Sequence, residues 1–263
     1  MTQTITTQTI GLIGSGMLGA AMARGWLDSG ILTPDTLLIA TRSGTSDVPG
    51  VEVVTDPQAL VSRCDALLLC VPPDALPNVK MHAPNLPILS VVAGATQDRL
   101  SSLFGSARII RAMSSPAAAQ RLAFSPWIAS AASTAADRQL AQHLFGALGK
   151  AAEVTDEHHI DVFTALTGPV PGFVAACAAA MSNHARSEGV PEEIATAAVK
   201  QLFLASGIAM TDDPRAPEAL VQEMIDYAGT TAAGLSVLRD GPLRNALADG
   251  LRAATQRAKT IAE

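Results

Sequence analysis

Residues 14–19 read Gly14-Ser15-Gly16-Met17-Leu18-Gly19, a GxGxxG directly after the short apolar run "TIGLIG" and directly before the helix pattern "MLGAAMARGWLDSG". A strand running through three spaced glycines into a helix is the context in which this spacing has a physical meaning. Gly14 permits a tight turn, Gly16 lets a ligand approach the backbone, and Gly19 lets helix and strand pack closely. The helix start then presents free N–H groups and a positive dipole end to an anion. The pattern predicts dinucleotide binding by Gly14, Ser15, Gly16, Met17, Leu18 and Gly19; a plain packing turn is the alternative.

The segments that follow repeat the alternation. "TLLIATR" (36–42), "DALLLCV" (65–71), "PILSVVAG" (87–94) and "ARIIRAM" (107–113) read as strands with room for crossovers, and "AFSPWIASA" (123–131) and "AAEVTD" (151–156) extend the series. Alternating β and α segments predict a parallel, doubly wound α/β sheet of Rossmann type. From about Asp156 strand signals stop and helical ones take over. Val162, Phe163 and Leu166 share one face, Pro169 and Pro171 interrupt the pattern, and helices are expected over 191–210 and 242–261, each opening at a proline. The expected division is a cofactor domain over 1–156 and an all-helical substrate and dimerisation domain over 157–263.

The end of the second strand selects the cofactor. A site for NAD would place an acid there to bond the ribose hydroxyls. Here the residues are Thr41-Arg42-Ser43, a cation with hydroxyls that suits a 2′-phosphate, so NADPH is favoured over NADH. A solvated arginine at a strand end is the plainer reading.

Composition limits the remaining classes. The chain has 263 residues, 48% hydrophobic and 16% charged, with mean hydropathy +0.28 and net charge −6. That balance argues against nucleic acid as a partner and suits burial in an oligomer. Cys64, Cys70 and Cys177 are scattered, which fits a reducing, cytoplasmic setting. The N-terminus lacks a basic segment before an apolar one, and no uninterrupted apolar run reaches the ~18 residues of a spanning helix, so no membrane role is expected. Asp156, Glu157, His158, His159 and Asp161 look metal-like, but adjacent histidines on a helix point about 100° apart. They are read as a solvated junction, and no metal is expected. Ser114-Ser115 has no histidine nearby to suggest a hydrolase, and His82, His143 and His184 stand alone.

With both halves in view, the chain resembles the pyrroline-5-carboxylate reductase family over nearly its full length. "IGLIGSGMLGAAMARG", "ILSVVAGAT", "IIRAM", "TALTGPVPGF" and "AGTTAAGLSVL" stand in the order of that family's motifs. The resemblance implies an NADPH-dependent reductase of a cyclic imine, built as a homodimer or a larger homo-oligomer of dimers. Its active site would lie between the cofactor and the helical domain, with the partner contributing. Carried over by position, Gly14 to Gly19, Arg42, Ser43, Val71, Pro72, Ala93 and Gly94 would contact the cofactor. Gly229, Thr230 and Thr231 would contact the substrate. The residue types agree: Thr230 and Thr231 can cap a helix starting near Ala232, whose N-terminus suits a carboxylate, and the Thr231 hydroxyl can reach the substrate nitrogen.

Several positions depart from the family. Val71-Pro72-Pro73 lacks its lysine, Met113-Ser114-Ser115-Pro116 is shorter than its Met-Pro-Asn-Thr-Pro, and Gly168 to Phe173 loses a serine and a tyrosine. Asp226-Tyr227-Ala228 stands where the family has Ser-Pro-Gly. An aspartate beside a bound carboxylate would repel it by on the order of 4 kcal/mol at an effective dielectric near 20 and ~4 Å. The same charge would favour a protonated C=N, with Tyr227 as proton donor or hydrogen-bond partner, and would shift the substrate toward another cyclic imine. Asp226 ending a helix in solvent, with Tyr227 filling space, is the plainer alternative. A cofactor-binding protein without turnover is a further one.

Overall fold

The computed structural model describes residues 8–168 and 171–262. Pro169 and Val170, two residues of the "TGPVPGF" segment, lie outside them. Eight strands form one sheet: β1 (Ile10–Ile13), β2 (Leu37–Ala40), β3 (Glu52–Val54), β4 (Ala66–Leu69), β5 (Ile88–Ser90), β6 (Ile109–Ala112), β7 (Ala123–Ala129) and β8 (Gly149–Glu153), in the order β3-β2-β1-β4-β5-β6-β7-β8. All neighbours are parallel except β6 and β7. Strand order reverses at β1, and the crevice beyond the strand ends at such a point is where open α/β sheets bind ligands.

The central strands β1, β2 and β4 are short and continuously apolar because both faces are covered. On β4, Ala66 and Leu68 join one core with Ile10, Leu12 and Trp26, while Leu67 and Leu69 join the other with Ile13, Leu60 and Phe104. Between the strands lie α1 (Met17–Ser29), α2 (Gln58–Val61), α3 (Gln97–Phe104) and α4 (Ala135–Gly146), with 3₁₀ turns at Pro73–Asn78 and Pro116–Gln120. Trp26 on α1 is fully buried and donates its indole N–H to the Leu144 carbonyl on α4 at 2.8 Å, so its polar edge is satisfied inside the core.

The remainder is helical: α5 (His158–Leu166), α6 (Gly172–Ser187), α7 (Glu192–Asp212), α8 (Pro217–Asp226), α9 (Thr230–Asp240) and α10 (Leu243–Thr260). Two compact units result, one of residues 1–170 with 251–263 and one of residues 171–250. The expected helix at 191–210 is α7, with Pro191 as its N-cap rather than inside its first turn. By length and composition alone α7 is apolar enough to cross a membrane. A search for an uninterrupted apolar run passes over it, because Lys200 and small polar residues break the run. Ile194, Leu202, Leu204, Ile208 and Met210 on this helix are exposed.

Candidate functional site

The glycine turn is built as its spacing predicts. Gly14 has φ +97°, and a Cβ there would stand 2.5 Å from the Cys70 carbonyl oxygen. A Cβ on Gly19 would stand 2.2 Å from the Gly14 carbonyl oxygen, so helix and strand meet only because residue 19 has none. Around Gly16, by contrast, an added Cβ meets nothing within 4 Å. Gly16 is also the N-cap of α1 and has no side-chain cap, which leaves the first N–H groups of that helix unsatisfied and facing open space.

A cleft of about 790 Å³ opens at this turn. Gly14, Ser15 and Gly16 line it, with Arg42, Ser43 and Thr45 beyond β2, Thr55 and Asp56 beyond β3, and Val71 and Pro72 beyond β4. The segment after β2 is braced by its own hydroxyls. Thr41 Oγ1 donates to the Thr45 carbonyl at 2.9 Å, Ser43 Oγ and Thr45 Oγ1 lie 2.9 Å apart, and Ser15 Oγ meets Ser46 Oγ at 2.6 Å. Bracing by hydroxyls leaves Arg42 without a hydrogen bond or ion pair among the described residues. No acid stands at the end of β2. Open backbone donors, a fixed hydroxyl loop and an uncommitted guanidinium suit a phosphorylated dinucleotide.

Other expected cofactor residues lie apart from this cleft. Met17 is 80% exposed, and Leu18 and Gly19 lie in the first turn of α1, outside the cleft lining. Ala93 and Gly94 follow β5. Gly94, with φ +73°, packs under the chain end, where a Cβ would stand 2.9 Å from the Ala258 carbonyl oxygen. Arg99 donates to the Ala262 carbonyl beside it.

In the helical unit, α8 ends at Asp226, Tyr227 is its C-cap and Ala228 turns the chain with φ +58°. The N-cap of α9 is Gly229, without a side-chain cap, so Thr230 and Thr231 are its first helical residues. This corrects the expectation that the threonines cap a helix from Ala232. Glycine needs no help to enter the extended N-cap conformation, and the threonine hydroxyls stay exposed and uncommitted among the described residues. Gln222 Nε2 donates to Asp226 Oδ1 at 2.7 Å, and the Tyr227 ring lies beside Gly229 although it is 84% exposed.

The acid cluster is the larger surprise. Arg111 on β6 is 2% exposed and donates to Asp161 on α5, and at 3.2 Å to Glu157, which also accepts from the Gln97 N–H at the start of α3. Asp161 is therefore buried in an ion-pair network rather than solvated, and α5 is fastened to the sheet. Arg111 was visible only as part of a motif; its partners lie about fifty residues away in sequence. Ser114 and Ser115 are buried too, and Ser114 accepts from the Ser125 hydroxyl at 2.9 Å.

Comparison with known proteins gives the following likenesses. A model of pyrroline-5-carboxylate reductase dimerisation matches residues 157–261, and one of NADP oxidoreductase, coenzyme F420-dependent, matches residues 9–94. Pyrroline-5-carboxylate reductase of Arabidopsis thaliana is 28% identical, over 97% of this chain and 95% of its own. Pyrroline-5-carboxylate reductase 2 of Bacillus subtilis is 27% identical over the same shares. In fold, a pyrroline-5-carboxylate reductase from Coxiella burnetii superposes with TM-score 0.87 at 24% identity, over 98% of this chain and 100% of its own. The Plasmodium falciparum pyrroline carboxylate reductase with NADP bound gives 0.83 at 19%, over 99% and 100%.

Proposed function

We propose that this chain, which belongs to the pyrroline-5-carboxylate reductase family, is an NADPH-dependent oxidoreductase that reduces the C=N bond of pyrroline-5-carboxylate to give proline. The observation that carries the reading is the cleft at Gly16, with an uncommitted Arg42 and hydroxyls where an NAD site would hold an acid. When bound, NADPH supplies the hydride. Gly14, Ser15 and Gly16 hold its pyrophosphate on the open N–H groups of α1, and Arg42 and Ser43 take the 2′-phosphate, which favours NADPH over NADH. Val71 and Pro72 form the apolar wall; Gly19 packs under the turn, Met17 and Leu18 open the helix at the pyrophosphate, and Ala93 and Gly94 follow the strand end of β5.

Residues 157–263 serve as the substrate and dimerisation half, and residues 1–156 as the cofactor half. Thr230 and Thr231 offer the substrate carboxylate the free N–H groups of α9, while the Thr231 hydroxyl holds the imine nitrogen. Gly229 leaves that helix end open, and Tyr227, whose ring lies beside it, donates a hydrogen bond or a proton to the nitrogen. The Asp226 carboxylate is exposed and held by Gln222, so its repulsion of a substrate carboxylate ~4 Å away falls to about 1 kcal/mol in water. That is small enough for the family substrate to bind. The exposed apolar side chains of α7 are covered by a second copy in a homodimer. The unpaired Cys64, Cys70 and Cys177 fit a reducing cytoplasm.

The test is NADPH consumption by purified protein with pyrroline-5-carboxylate and with a panel of cyclic imines lacking its carboxylate. Consumption with the first supports the reading. Consumption only with the others assigns a different imine, and tight NADPH binding with no consumption leaves a cofactor-binding protein.

A further inference from the structure

Four ionisable side chains line the cofactor cleft: Arg42, Asp56, Asp74 and Lys80. Arg42 follows β2 and stands at the strand end, where the fold calls for a cofactor contact. Lys80 comes from the other side of β1, two residues beyond the 3₁₀ turn Pro73–Asn78 that follows β4. We propose that Lys80 is a specificity-determining residue, a second cation that joins Arg42 in gripping the 2′-phosphate of the cofactor. This inference rests on the cofactor reading above.

Charge is the first argument. With Lys80 the four groups balance; without it Arg42 alone faces two carboxylates, and the cleft would be net negative toward a phosphate that carries most of two negative charges. Asp56 is partly occupied, since its Oδ1 accepts from the Gln58 N–H at 2.9 Å. Asp74 sits in the first turn of the 3₁₀ segment.

Placement is the second. Lys80 Nζ donates to the Pro77 carbonyl at 3.1 Å, which draws the ammonium back over the 3₁₀ turn and leaves two of its three N–H donors for a ligand. On the same wall Pro72 has no N–H, Val71 and Ala75 have no polar side chain, and Asn78 offers only an uncharged amide. Lys80 is its one cation.

The experiment compares dissociation constants for NADPH and NADH, measured by fluorescence titration at one fixed salt concentration, on the full chain and on Lys80→Gln, Lys80→Arg and Arg42→Gln. Lys80→Gln is expected to weaken NADPH about tenfold while NADH stays within about twofold, and Lys80→Arg to recover most of the loss. The retained NADH affinity shows that the variant is folded. Equal weakening of both cofactors would place Lys80 on a part common to them and overturn the proposal, as would unchanged NADPH affinity. If Arg42→Gln loses the preference for NADPH and Lys80→Gln keeps it, only the role of Lys80 fails. If the unaltered chain binds both cofactors alike, the cofactor reading fails and Lys80 with it.

Discussion

Gln222 donates a hydrogen bond from its side-chain amide to the Asp226 carboxylate, 2.7 Å across one turn of α8. The acid just before the α9 turn thus has a partner on its own helix. Asp226→Ser should leave kcat/KM for pyrroline-5-carboxylate within about fivefold, the effect of an exposed charge being ~1 kcal/mol or less. A steady-state comparison decides it. A gain of tenfold or more in KM-limited turnover would show that the charge does oppose the substrate.

The glycines of the turn separate packing from binding. Gly16→Ala puts a methyl into open space, so the variant should melt within about 1 kcal/mol of the parent yet bind NADPH at least roughly tenfold more weakly. Gly19→Ala drives a methyl onto the Gly14 carbonyl and should cost about 2 kcal/mol or more in stability. Urea unfolding beside cofactor titration distinguishes them. Equal destabilisation by both would mean that Gly16 is a packing residue only.

Ala228 carries a side chain in the left-handed region, with φ +58°, between α8 and α9. Relief of that strain exceeds the entropy a glycine loses on folding, so Ala228→Gly should stabilise by about 0.5–1 kcal/mol. Thermal melting gives the sign at once.

Asp137 is buried, accepts from Arg108 Nε at 2.8 Å and closes a capping box with Thr134 at the start of α4. Burial pushes its carboxyl up, but the hydrogen bonds from Arg108 and Thr134 outweigh that and hold it below the ordinary carboxylate range. A depressed folded value contributes stability above the unfolded pKa of about 3.9, which is lost as pH falls through the folded value. Asp137→Asn should therefore cost about 2 kcal/mol near neutral pH. The difference from the parent should close in acid, and a gap independent of pH would contradict the ion pair.

The sheet and the glycine turn were legible because each rests on local signals: short apolar runs, three spaced glycines and a helix pattern. β3 was not, since Glu52-Val53-Val54 is three residues at a half-exposed edge. The antiparallel entry of β7 was hidden because an apolar run carries no record of its direction. The acids at 157 and 161 read as solvated because their partner, Arg111, is remote in sequence; only folding brings the three together. Nothing in the sequence marks Lys80 either, because its place at the cleft depends on the path of the 3₁₀ turn. The threonines of α9 were recognised, but with Gly229 able to serve as N-cap their hydroxyls stay free for a ligand.

Hydride transfer to an imine carbon is the central claim, and isotope transfer tests it most directly. Full-length protein, pyrroline-5-carboxylate and NADPH deuterated at the transferring position should yield proline with one deuterium on the former imine carbon, read by mass spectrometry and NMR. Bound NADPH that yields no proline, or proline without the label, would contradict the account.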